Sequence, residues 1–175
     1  TWFQVMKSDG ARLGYGRYAD AIKAQPDGSL DIADKDLRAE VLKLREDPEV
    51  AANLAAAFTR DNGAYLKARF GRMPSPGELY IAHFLGAHGA EKLFRAGLSD
   101  PNQIAADLFV SEAKANRPIF YDKSGKARTI REVYEVLVAR HEALTPSAQT
   151  VAASTSTQAP QLPMSFADLF SETTG

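Results

Sequence analysis

Ser75-Pro76-Gly77-Glu78 fixes the start of a helix more firmly than any other stretch of this chain. Serine stands at N-cap, proline at the first helical position and glutamate at the third, which together form a capping box. The residues that follow, Leu79-Tyr80-Ile81-Ala82-His83-Phe84-Leu85, are apolar enough to demand a core around them. Leu79, Phe84 and Leu85 are expected to supply the packed surface. Gly86 is expected to close the helix as a left-handed C′ residue, with a second helix starting behind it. Tyr80 and His83 are three residues apart and share a face. A phenol and an imidazole on such a helix are either satisfied core residues or parts of a site, and spacing alone leaves both readings open.

The same helix logic organises much of what flanks this stretch. Trp2, Val5 and Met6 recur at helical spacing over residues 1 to 8. A glycine-rich connection over 9 to 16 leads into a short helix from Tyr18 to Ile22. Gln25-Pro26-Asp27-Gly28 signals a turn, which fits either a small hairpin or an irregular loop. Asp34 is placed to cap a helix over 35 to 46. Asp47-Pro48-Glu49 then starts a long helix whose stripe runs Val50, Leu54, Phe58, Tyr65 and Leu66, ending at Gly71. Asn62 falls in that stripe, as a core amide or as a substrate contact.

Beyond the central stretch, Ala90, Leu93 and Phe94 form a helical face. Asp100-Pro101 repeats the Asp-Pro start, with Ile104, Leu108 and Phe109 directed inward. Arg117 to Tyr121 is expected to be extended, because proline disfavours helix in the residue before it. Lys123 to Lys126 reads as a turn. Thr129-Ile130-Arg131-Glu132 is a second capping box, opening a helix lined by Val133, Tyr134, Leu137 and Val138.

After about Leu144 the character changes. Ser, Thr, Ala, Gln and Pro dominate, a composition that cannot build a core, so residues 143–163 read as a flexible linker. In the tail, 164–175, Phe166, Leu169 and Phe170 have the i, i+3, i+4 spacing of a short helix that docks into a partner's groove. A disordered tail with chance apolar residues explains them equally well.

With 175 residues the chain is long enough for one sizeable core plus a tail. Its formal net charge of −1 provides no overall basic field for nucleic acid. It has no cysteine, which excludes disulfides and thiolate metal sites. Three histidines without an HExxH pattern argue against zinc, and nothing calls for a cofactor. No apolar run approaches the ~20 residues of a membrane span, and no signal peptide is visible.

The segment Leu79-Tyr80-Ile81-Ala82-His83-Phe84-Leu85-Gly86-Ala87-His88-Gly89-Ala90 resembles the LYxAHFLGxxGA signature of one branch of the SLT-type lytic transglycosylases, lysozyme-like enzymes of bacterial peptidoglycan. Leu13-Gly14-Tyr15-Gly16, Leu44-Arg45-Glu46-Asp47-Pro48 and the run from Ala115-Asn116 through Ile119-Phe120-Tyr121 to Val133-Tyr134 resemble the same branch, in the same order. The likeness covers roughly residues 1 to 140. Other branches carry Ala-Tyr-Asn-Ala-Gly where this chain has Ala82-His83-Phe84-Leu85-Gly86, so the role of that asparagine is not carried over.

The resemblance implies an all-α, lysozyme-like domain over residues 1–142, located in the periplasm or cell envelope of a bacterium. It implies cleavage of the bond between N-acetylmuramic acid and N-acetylglucosamine. The family's acid–base glutamate lies in a Glu-Ser motif ahead of the position matched by Thr1-Trp2, so the expected principal acid is upstream and this piece alone is expected to be inactive. Tyr80 and His83 are expected to face that glutamate in supporting roles, Tyr80 holding the carboxyl and His83 orienting the carboxyl, a sugar or the muramyl peptide. Tyr15, Tyr18 and Asn62 are the expected substrate contacts. The competing expectation is a non-catalytic peptidoglycan-binding or scaffold module whose tail recruits a partner.

Overall fold

The computed structural model describes residues 1–144, and these fold as two units, Thr1–Asp61 and a second beginning at Asn62. Apart from one two-stranded hairpin, the regular structure among the described residues is helical. The linker and the tail bearing Phe166, Leu169 and Phe170 lie outside the described residues.

In the first unit, α1 (Trp2–Asp9) and α2 (Gly16–Ala21) precede a hairpin of β1 (Lys23–Ala24) and β2 (Leu30–Asp31), paired Lys23 with Asp31 and Ala24 with Leu30. Of the two readings open for Gln25-Pro26-Asp27-Gly28, the hairpin is the one formed. Gly28 takes φ 81° in its turn. Asp34 caps α3 (Lys35–Lys43), its carboxylate accepting from the backbone N–H of Asp36 and Leu37. A 3-10 turn, Leu44–Glu46, leads to Asp47, whose Oδ1 accepts from Glu49 N and Val50 N at the start of α4 (Pro48–Phe70). Met6, Ile22, Ile32, Val41, Val50 and Leu54 are buried together. Trp2 Nε1 donates to Val41 O at 3.0 Å, which ties α1 to α3.

Asp9 anchors this unit electrostatically. It is 6% exposed, and its Oδ1 accepts from Arg12 at 2.7 Å and from Arg60 at 2.6 Å. The Arg12 guanidinium, with help from Ser8 and Arg60, holds its carboxyl well below the usual carboxylate range against the opposing effect of burial.

The second unit is built on α5 (Pro76–Ser99) packed against α9 (Ile130–Leu144). Ile81, Ala82, Leu93 and Phe94 of α5 meet Ile130, Val133, Tyr134 and Leu137 of α9 in one core with Leu66, Ile119 and Phe120. Gly77 allows the two helices to approach closely. A Cβ there would lie 3.1 Å from both methyl carbons of Val138.

Both capping boxes form. Glu78 N donates to Ser75 Oγ at 3.3 Å and Ser75 N donates to Glu78 at 2.7 Å; Thr129 and Glu132 repeat the pattern at the start of α9. Glu78 also does more than cap. It is fully buried, takes a two-pronged contact from Arg72 at 2.7 and 2.8 Å, and accepts from Tyr134 OH at 3.2 Å.

The structure corrects four local expectations. Gly86 interrupts α5 with a second helical segment behind it, as expected, but not in the left-handed helical region. It takes φ 75°, ψ 163°, and the helix resumes behind it, leaving a kink. The fully buried face of the first half of α5 is Gly77, Glu78, Ile81 and Ala82, because these recur at i, i+1, i+4 and i+5; Phe84 and Leu85 pack against that core half-buried, as expected, and Leu79 is half-buried outside it. Residues 101–104 are not the first turn of a helix. They are pinned to α9, with Ile130 N donating to Gln103 O, Arg131 N to Pro101 O and Ile104 bridged to Thr129, so α6 starts at Ala105 (Ala105–Leu108), and Phe109 breaks it from α7 (Val110–Ala115).

The fourth correction concerns Arg117-Pro118. It opens a helical turn, α8 (Arg117–Phe120), and only Tyr121 is extended. Closing this turn puts Ile119 and Phe120 side by side in the core, and that burial outweighs the pre-proline preference.

Candidate functional site

Tyr80 and His83 sit on the first half of α5, one turn apart and beside the stripe that packs into the core. Neither ring is sealed in hydrocarbon: Tyr80 is half-buried and His83 exposed. Enough protein surrounds His83 for desolvation to pull its pKa below the ordinary histidine value, so the neutral imidazole is favoured near pH 7.

Tyr80 faces a residue that sequence reasoning missed. The His141 ring lies 5.8 Å from it, centroid to centroid, at 37°. The signal was present in the sequence, since Val133, Tyr134, Leu137, Val138 and His141 continue one helical stripe along α9. The kinked helix and α9 thus bring the Tyr80 phenol and the His141 imidazole together, with His83 one turn further along α5.

Behind the kink is a second polar cluster, also missed. Tyr65 OH donates to Glu91 Oε2 at 2.5 Å and lies 2.7 Å from His88 Nδ1; Arg95 pairs with Glu91 at 2.8 Å. The Tyr65 and Arg95 contacts hold the Glu91 carboxyl below its ordinary value. Glu91 is therefore kept as an anion, which suits it poorly to donating a proton near neutral pH. Glu78, engaged by four donor contacts from Arg72, Ser75 and Tyr134, is a brace between α9 and the start of α5. Neither carboxylate has the setting of a general acid at a glycosidic bond.

Asn62 is 4% exposed, and its Nδ2 has no hydrogen-bond partner. The expectation of a core amide paired to backbone therefore fails at that nitrogen, and the buried donor is left unsatisfied.

Tyr15 and Tyr18 belong to the first unit and already have partners there. Tyr15 OH accepts from Asn53 Nδ2 at 3.4 Å. Tyr18 OH donates to Glu40 at 2.7 Å and accepts from Arg17, which also pairs with Glu40. The better aromatic wall in this unit was not foreseen. A concavity of about 630 Å³ is lined by Trp2, Phe3 and Arg45, with the Arg45 guanidinium 5.8 Å from the Trp2 ring centre.

No helix among the described residues is long and apolar enough to cross a membrane. Compared with protein-family models, the chain matches none.

Proposed function

We propose that this chain is part of a peptidoglycan lytic transglycosylase of the SLT type, with a lysozyme-like arrangement of its helices. The observation that carries the reading is where the segment resembling LYxAHFLGxxGA falls. It lies on a capped, kinked helix, with Tyr80 half-buried and His83 exposed, outside the stripe that buries Ile81 and Ala82.

In this reading the principal acid is a glutamate supplied from outside residues 1–175. It protonates the oxygen between N-acetylmuramic acid and N-acetylglucosamine, then takes the proton of the muramyl 6-hydroxyl as that oxygen closes a 1,6-anhydro ring. Tyr80 donates a hydrogen bond to that carboxyl, and its contact with His141 limits the angles the phenol can adopt. His83, favoured as the neutral ring, donates one hydrogen bond and accepts another, a pairing suited to a sugar hydroxyl. The substrate places the protein in the bacterial periplasm or envelope.

The test is digestion of purified sacculi by the full-length protein, with products read by mass spectrometry. Replacing the Glu-Ser glutamate is expected to abolish release. Tyr80→Phe and His83→Ala are each expected to slow it by about tenfold or more, the scale of a lost positioning contact. If both variants release muropeptides at the parental rate, these roles are wrong. Binding to sacculi without any release would favour the non-catalytic module instead.

A further inference from the structure

A second surface of the protein has the construction of an anion site, far along the sequence from Tyr80 and His83. Between Arg117 and Arg131 the chain carries five basic residues, Arg117, Lys123, Lys126, Arg128 and Arg131, against the single acid Asp122, although the whole protein has a net charge of −1. The fold gathers part of this charge around an open concavity of about 520 Å³, lined by Arg117, Tyr121, Asp122, Lys123 and Arg128 among others.

Two arginines and the aspartate there are positioned by the local structure, while Lys123 stands exposed at the rim. Arg128 is half-buried, and its Nη1 donates to the carbonyls of Pro118, Ile119 and Tyr121 at 2.9, 3.1 and 2.6 Å. Those bonds close the C-terminal end of α8 and fix the guanidinium in place. The Arg117 guanidinium stacks over the Tyr121 ring at 4.3 Å, which orients its flat donor edge. The acid in the wall is already engaged: Asp122 Oδ1 accepts from Ser124 N, Ser124 Oγ and Lys126 N, forming the turn in which Gly125 takes φ 86°.

Seven of the twelve arginines, Arg12, Arg17, Arg38, Arg60, Arg69, Arg72 and Arg95, are held by a carboxylate of the chain. Among the described residues, Arg117 and Arg128 form no close ion pair, as is also true of Arg45, Arg131 and Arg140, although Arg128 acts at longer range on the carboxylate of Asp122. Two held guanidiniums and a lysine around a hollow match a flat oxyanion better than a neutral sugar.

We propose that the Arg117–Lys123–Arg128 concavity binds an oxyanion carried on an extended ligand, here the carboxylate of a peptidoglycan stem peptide. The identity of the ligand rests on the function proposed above; the anion chemistry does not. A stem peptide supplies both the carboxylate for Arg117 and Lys123 and enough chain to occupy a space much larger than an ion. The same oxyanion chemistry is offered by phosphate.

The test is titration of the full 175-residue chain, followed by NMR, with a stem tetrapeptide, the same peptide amidated at its carboxylates, and inorganic phosphate. Arg117→Gln and Lys123→Gln are the variants, because both side chains are exposed and neither donates to the backbone as Arg128 does. The expected result is saturable binding of the free-acid peptide, with shifts centred on Tyr121. Either single substitution should weaken it about tenfold, as expected for losing one charge-assisted contact, and amidation or the double substitution should weaken it more than either. Binding of phosphate but not peptide would keep the anion site and reassign its source. Equal binding of free and amidated peptide, binding unchanged by the double substitution, or no binding of either anion at millimolar concentration would overturn the proposal. Peptide binding that survives while the full-length protein releases no muropeptide would sink the enzymatic reading and leave this site standing.

Discussion

Asp9 shows how much one buried carboxylate can control. Its pKa is lowered in the folded state, chiefly by Arg12, so folding is favoured while the group is ionised. That contribution is complete above the ordinary carboxylate pKa and is lost as pH falls through the depressed folded value. Thermal unfolding followed from pH 6 downward should show stability falling below about pH 4, where unfolded aspartates begin to protonate. Asp9→Asn should flatten that fall and cost about 2 kcal/mol at neutral pH, the scale of a hydrogen bond to a charged group. His83 has the same sign. Its folded pKa is depressed by desolvation, so the unfolded state binds the extra proton and stability declines as pH drops below about 6.5. His83→Gln should remove that component of the slope, a change visible in denaturation midpoints compared at pH 7.5 and 5.5. Asn62→Leu should cost less than about 0.5 kcal/mol or raise stability, because it removes a buried donor that has no partner. A clear loss in chemical denaturation would show that the amide is needed where it is.

At the scale of elements, α5 depends on Gly86. At φ 75°, ψ 163° the backbone is in a region that is essentially glycine's alone, and a non-glycine residue held there costs about 1–3 kcal/mol. Gly86→Ala should therefore destabilise by that amount although space for the methyl group is open. Gly89→Ala acts through contact instead. Its Cβ would meet Leu85 Cβ at 2.7 Å, so the two halves of the helix must shift. Circular dichroism of both variants during denaturation separates a backbone cost from a displaced kink.

Much of this element was legible beforehand. Ser75, Pro76 and Glu78 announce the helix start, and Gly86 announces an interruption. The kind of interruption was not legible, since glycine permits several positive-φ geometries and only tertiary packing selects one. The buried face was misjudged for a related reason. Glu78 is charged and reads as outward-facing, yet Arg72 and Tyr134, respectively six and 56 residues away in sequence, neutralise and satisfy it inside. Spacing put Tyr80 and His83 on one face and only the family resemblance marked them as site residues, whereas His141 belonged to a distant helix and came into view once α9 was seen beside α5. The turn at Arg117-Pro118 was lost to a local rule that the burial of Ile119 and Phe120 overrides.

At the scale of the whole molecule, two cores share one long helix. The first half of α4 carries Val50 and Leu54 into one, and the second half carries Leu66 into the other. Truncating a buried leucine typically costs about 2–5 kcal/mol. Leu54→Ala should weaken amide-exchange protection mainly in α1 and α3, and Leu66→Ala mainly in α5 and α9, if each core opens as its own unit. Equal loss of protection everywhere after either substitution would show a single cooperative block.

The approach of Gly77 to Val138 makes these two positions partners in volume. A methyl group added at 77 would press on both Val138 methyls at 3.1 Å, so Val138 must give by a few tenths of an ångström or be made smaller. Gly77→Ala should cost stability to the extent that Val138 resists this shift, and joining it to Val138→Ala should return that loss, read as denaturation midpoints of the single and double variants. Sequences that drift along this pair should thus trade bulk between the two sites rather than change either one alone.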